Sequence, residues 1–173
     1  FYGVGFQFIS QPIQYFIKDF IPYLFYIDNY GSLLLSKHPI IFIFFSISGY
    51  FFYKIILIIT KNKIFSLLST LSYLLYPYLL GHAFMNPKDI PFLTVWMAST
   101  YCSFYIADKF INKNYLKYID IFFLGALTAF LLSIRISGII IFIQYLVMLI
   151  LLIEYKKLKF DFLLRNIFPK LVF

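Results

Sequence analysis

The sequence predicts an all-α membrane protein: a polytopic helical bundle of about five transmembrane helices, preceded by interfacial amphipathic helices. Three observations predict it. Hydrophobic residues fill 62% of the 173 positions and charged ones 13%, too apolar for a soluble domain of this length. Apolar runs recur along the chain at close to the roughly 20 residues a helix needs to cross a bilayer. The fifteen Lys and Arg residues fall mainly in the short connections between those runs, where charges that fix orientation belong. A net charge of +8 would suggest nucleic acid in a soluble chain, but charge distributed in this way implies no nucleic-acid partner.

Residues 1–38 read as an extracytoplasmic loop with interfacial helices. They are apolar but interrupted by Gln7, Gln11, Pro12, Gln14, Lys18, Asp19, Pro22, Asp28 and Asn29, too much polarity for a comfortable span. Within Gln14 to Tyr26, Phe16, Phe20 and Leu24 recur every four residues while Lys18 and Asp19 fall elsewhere on the wheel, the pattern of a helix lying in the membrane plane. A tilted or re-entrant span is the alternative. Residues 39–155 then hold the transmembrane helices with short loops.

The first span, Pro39 to about Thr60, opens at Ser36-Lys37-His38-Pro39 and closes at Lys61-Asn62-Lys63. Lys54 inside it is expected to snorkel towards that closing side, and Ser46, Ser48 and Gly49 to admit a neighbouring helix closely. A second span, Phe65 to Leu80, returns the chain. The third, Ile90 to Ile106, ends at a basic connection, Asp108 to Tyr118. The fourth, Ile119 to Ile134, ends at Arg135, and a fifth, Gly138 to Ile153, leads into the basic, cytoplasmic segment 156–173. No span carries the midplane Gly/Pro break that transporter sites favour. Cys102 lies in an apolar run and reads as packing. The start at Phe1 and the approach to a further segment near Pro169 suggest a fragment.

Alternating sides place Lys61, Lys63, the three lysines of 108–118 and the five basic residues after 155 on one face, ten of the fifteen. Lys18, Lys37, Lys88 and Arg135 fall on the other, with Lys54 inside a span. The ten-residue face is predicted to be cytoplasmic, so 1–38, His82 to Asp89 and Arg135 share the extracytoplasmic face of a multi-pass protein of the inner (plasma) membrane.

The stretch from Gly81 to Phe92, GHAFMNPKDIPF, concentrates polar groups between two apolar runs and is the candidate for chemistry. Its plainest reading is a helix start: Asn86 is a preferred N-cap, Pro87 suits the first helical position, and Asp89 would favour the helix's positive end. Against that stands Arg135, at a turn where Gly, Asn or Ser would serve. It shares a face with Asp89, His82, Lys88 and Lys37-His38, and arginine suits bidentate phosphate binding. No metal-ligand spacing and no cofactor motif is evident.

Pro77 to Phe92 resembles the loop after the third transmembrane helix of bacterial family 39 glycosyltransferases. These belong to the GT-C superfamily, which includes protein O-mannosyltransferases and the aminoarabinose transferase of lipid A. Lys37-His38 resembles the Arg-His that opens their second helix, and Ser133 to Ile139 their basic residue after the fifth. The resemblance implies that the five spans are helices two to six, and that the donor is a sugar on a polyprenyl phosphate. The acceptor would be a lipid, glycan or protein. It also implies an acidic catalytic residue just before Phe1, a role not transferred to Asp19 or Asp28, so that the fragment alone is inactive. Asp89 is the candidate catalytic residue here, positioning acceptor or sugar, with Arg135, Lys88, His82, Asn86, Lys37 and His38 binding substrate. The alternatives are a transporter or channel segment, in which Asp89 and Arg135 line a path, and a structural subunit without a reaction.

Overall fold

The computed structural model describes residues 4–19, 21, 28–113 and 117–156. Among them the chain is all helix and turn, with no strand. The order is α1 (Gly5–Lys18), α2 (Asn29–Leu35), α3 (Lys37–Thr60), α4 (Lys63–Leu74), α5 (Pro77–Met85), α6 (Asp89–Lys113), α7 (Tyr118–Ile134), a 3-10 turn (Ile136–Ile140) and α8 (Ile141–Lys156). Three helical stretches are long and apolar enough to cross a membrane: Gly31–Thr60, Asp89–Asn112 and Ile136–Glu154. The bent pair α4–α5 makes a fourth if counted as one span. Tyr118–Ile134, the expected fourth span, is an apolar helix of 17 residues, at the lower limit of length.

α3 and α6 form the centre, running parallel. Thr94 Oγ1 donates to the Phe44 carbonyl at 2.8 Å, and further along the rings of Phe51 and Tyr101 meet at 5.8 Å. α7 runs back along α6, and α8 turns again, so that the Trp96 indole N–H donates to Gln144 Oε1 at 3.0 Å and Gln144 Nε2 to Thr100 Oγ1 at 2.9 Å. Inside a bilayer such bonds and close packing, rather than water exclusion, hold helices together, at about 0.6 kcal/mol per bond. α4 packs antiparallel on α3. Ser48 Oγ lies 2.8 Å from Tyr73 Oη, and a Cβ on Gly49 would fall 2.7 Å from Leu74 Cδ2, whereas Ser46 is exposed and bonds its own helix. Ser48 and Gly49 admit the neighbour; Ser46 does not.

Four expectations change. The second span is not one helix: α4 and α5 meet at a 60° bend, because Pro77 lacks an N–H and drives Tyr76 into extended backbone (φ −61°, ψ 116°). The chain therefore does carry a proline break. His82 lies in α5 rather than in a loop. Lys54 leans away from the closing side, its Nζ 5.4 Å over the Tyr50 ring, since helical side chains tilt towards the N-terminus and the ring attracts the ammonium. Lys109 is not in a connection: α6 continues to Lys113, and Lys109 pairs with Asp120 at the start of α7. Within the helix expected over Gln14 to Tyr26, α1 ends at Lys18; Phe20 and Leu24, like the basic segment beyond Lys156, lie outside the described residues.

The most deeply buried apolar side chains gather towards one end of the bundle: Ile40 and Ile41 at the start of α3, Ala83 in α5, Ile90 at the start of α6, Leu131 in α7 and Ile141 at the start of α8. Ile90 directly follows Asp89. A close-packed interior has few voids to absorb movement, so the polar groups at this end stand on a rigid floor.

Candidate functional site

The 60° bend tilts α5 so that its last turn meets the start of α6 across Asn86, Pro87 and Lys88. Asn86, extended at φ −104° and ψ 92°, accepts at Oδ1 from the backbone N–H of Lys88 (3.1 Å) and Asp89 (2.9 Å), which are the bonds of an N-cap. The helix-start reading is thus satisfied. Those two bonds also fix which end of the amide is nitrogen. Nδ2 donates to Asp89 Oδ2 at 2.7 Å and to His82 Nδ1 at 3.1 Å, so that this ring nitrogen is an acceptor. The His82 ring meets the Tyr78 ring at a tilt, centroids 4.5 Å apart, and serves as a post for Asn86.

A helix start does not require Arg135, 46 positions away, yet its Nη1 donates to Asp89 Oδ1. Arg135 follows α7 in extended backbone, and its guanidinium carbon lies 5.9 Å from the centre of the Phe92 ring. The two side chains keep 42% and 52% of their surface exposed, so the pair adds about 0–1 kcal/mol to stability. Its importance is orientation. Asp89 has both oxygens engaged and aims Arg135, while the guanidinium has five N–H donors, of which the Asp89 bond uses one.

Arg135, Lys37 and Lys88 line a single cavity of about 220 Å³, with Ile134 and Phe6 as its apolar part and Pro87 at its edge. Lys37 opens α3, Lys88 precedes α6 and Arg135 closes α7, so three elements distant in sequence present cations to one space. The N-terminus of α6 lies here as well, adding partial positive charge. The volume is below the roughly 300–1,000 Å³ that encloses a drug-sized ligand. It suits an anionic headgroup.

Of the residues expected to bind substrate, the structure brings Lys37, Lys88 and Arg135 to the cavity and puts Asp89 behind Arg135. Asn86 and His82 form the support for Asp89 rather than cavity wall. His38 is elsewhere: its Nδ1–H donates to the Phe84 carbonyl, tying α3 to α5. Sequence reasoning missed the lining from α1, Gln7, Ser10 and Gln14; it had treated the two glutamines as interruptions of an interfacial segment and had not singled out Ser10. The signal was their spacing of three and four residues, one stripe of a helix.

No protein-family model, curated protein or solved structure matches this chain.

Proposed function

We propose that this chain is the core of an integral membrane glycosyltransferase of the GT-C type. It transfers a sugar from a polyprenyl-phosphate donor to a lipid, glycan or protein acceptor at the extracytoplasmic face of the plasma membrane. The observation that supports the reading is the gathering of Lys37, Lys88 and Arg135 on one cavity with Arg135 aimed by Asp89. In the reaction the acceptor oxygen bonds to the anomeric carbon and the bond from that carbon to the phosphate oxygen breaks. The electron pair leaves on the phosphate, where clustered donors stabilise the growing charge. The hydroxyl proton goes to a carboxylate acting as general base. Asp89 keeps the guanidinium in place through the step.

The reading takes α4–α5 and α7 as crossings, giving five. Seventeen residues rise about 26 Å, enough for a tilted fit to a thin bilayer. Every connection then alternates sides as the charge distribution expects, with the cationic cavity opposite the basic face.

One observation favours the transporter reading: a broken helix is the device that transporters use at the midplane. The residues at this break, Leu75, Tyr76 and Tyr78, are however exposed and apolar or aromatic, and the ionisable groups lie beyond it. Proteoliposomes separate the two readings. Labelled sugar moving from polyprenyl-phosphate mannose, glucose or arabinose to a membrane acceptor supports the transferase. Uptake of solute or ions with no glycosylated product supports the transporter.

A further inference from the structure

We propose that the polar face of α1, Gln7, Ser10 and Gln14, reads the hydroxyl groups of the molecule whose phosphate the three cations hold, and so decides which sugar the site accepts. The proposal rests on the phosphate reading of Lys37, Lys88 and Arg135 given above. At 100° per residue the three positions fall within an arc of about 60°. A helix lying at a membrane surface should turn such a stripe to water. Here two of the three are turned inward, Ser10 at 1% and Gln14 at 4% exposed, with Gln7 exposed, while Phe8 and Phe16 on other faces are 84% and 71% exposed.

α1 is held there by contact. A Cβ on Gly5 would collide with Ser133 Oγ and fall 3.2 Å from the Ser133 carbonyl carbon, so α1 seats on the end of α7, two residues before Arg135. Within the stripe Gln14 Nε2 donates to Ser10 Oγ at 3.0 Å and the Ser10 hydroxyl to the Gln7 carbonyl at 3.4 Å. A carboxamide offers two donors and an acceptor pair. The Ser10 bond uses one donor of Gln14. A nearly buried amide thus lines the same cavity as the cations.

The two walls divide the chemistry. Cations answer a phosphate, whereas a sugar hydroxyl both donates and accepts and is matched by neutral groups that do the same. The cavity therefore fits a phosphorylated sugar better than a bare phosphate.

The test uses the full-length protein in nanodiscs and measures the affinity of farnesyl phosphate and of its mannosyl, glucosyl and arabinosyl esters. The wild type is expected to prefer one ester to farnesyl phosphate. Gln7→Leu and Gln14→Met should each cut that preference about three- to tenfold, the value of a hydrogen bond to a neutral group, and leave farnesyl phosphate affinity unchanged. Gln7 is exposed, so its variant keeps the result readable if Gln14→Met disturbs folding. Preference retained in both variants, or absent from the wild type, overturns the proposal while phosphate binding still follows the cations. Farnesyl phosphate affinity indifferent to both Arg135→Lys and Lys88→Gln overturns the phosphate reading itself, and the α1 proposal with it.

Discussion

Asp89 does two things that separate under mutation. Its backbone N–H is capped by Asn86, and its carboxylate aims Arg135. Asp89→Asn keeps the first and removes the charge of the second. The expected outcome is loss of sugar transfer with expression and thermal stability near wild type, since the exposed pair and the helix-end charge together are worth about 1 kcal/mol. Transfer assays beside a melting curve check it; parallel loss of both would make Asp89 a folding residue. That Asp89 and Arg135 belong near one another was legible in the sequence, because charges are sparse between apolar runs and alternating sides put both on one face; that the two pair was not. The part of Gln7, Ser10 and Gln14 was not. Polarity on an interfacial helix looks the same whether it meets water or a cavity, and only the seat of Gly5 on Ser133 decides between them.

Among the elements, the break between α4 and α5 carries the most consequence, because it turns the last turn of α5 towards α6. Pro77→Ala restores an amide N–H and frees Tyr76 to be helical. Spin labels at Lys63 and Gly81 should then separate towards about 27 Å, the rise of eighteen residues in one straight helix. An unchanged distance would assign the bend to packing instead. The floor beneath the site makes a second prediction. Leu131 is fully buried and meets the backbone of Gly138, where an added Cβ would approach to 3.0 Å. Leu131→Ala should cost about 2–5 kcal/mol and lower the melting temperature, while Leu132→Ala on the less buried neighbouring position should cost less. Hydropathy marked where α4 and α5 run but not that they are two helices, since apolar content is blind to the direction of the axis. A proline before Tyr78 was the available sign.

For the molecule as a whole, the bundle has a cationic cavity at one end and the Lys109–Asp120 pair at the other. The proposed membrane orientation rests on the basic connections at that second end, with Lys61, Lys63 and Lys117. Single cysteines at Lys88 and Ser137 should react with an impermeant maleimide on intact cells, and one at Asn112 only after lysis. The reverse pattern would invert the topology. All-helical architecture was legible from composition alone; the number of crossings was not, because α7 is barely long enough and α4–α5 is bent. The central claim is that Arg135 holds the donor phosphate. Guanidinium offers a planar fork that an ammonium cannot reproduce, whereas a residue needed for charge alone should tolerate lysine. The decisive measurement is transfer from a purified polyprenyl-phosphate sugar by full-length wild type and Arg135→Lys in the same detergent, with melting temperatures as control. The account predicts a loss of at least about tenfold in kcat/KM at unchanged melting temperature; wild-type turnover from the lysine variant would contradict it.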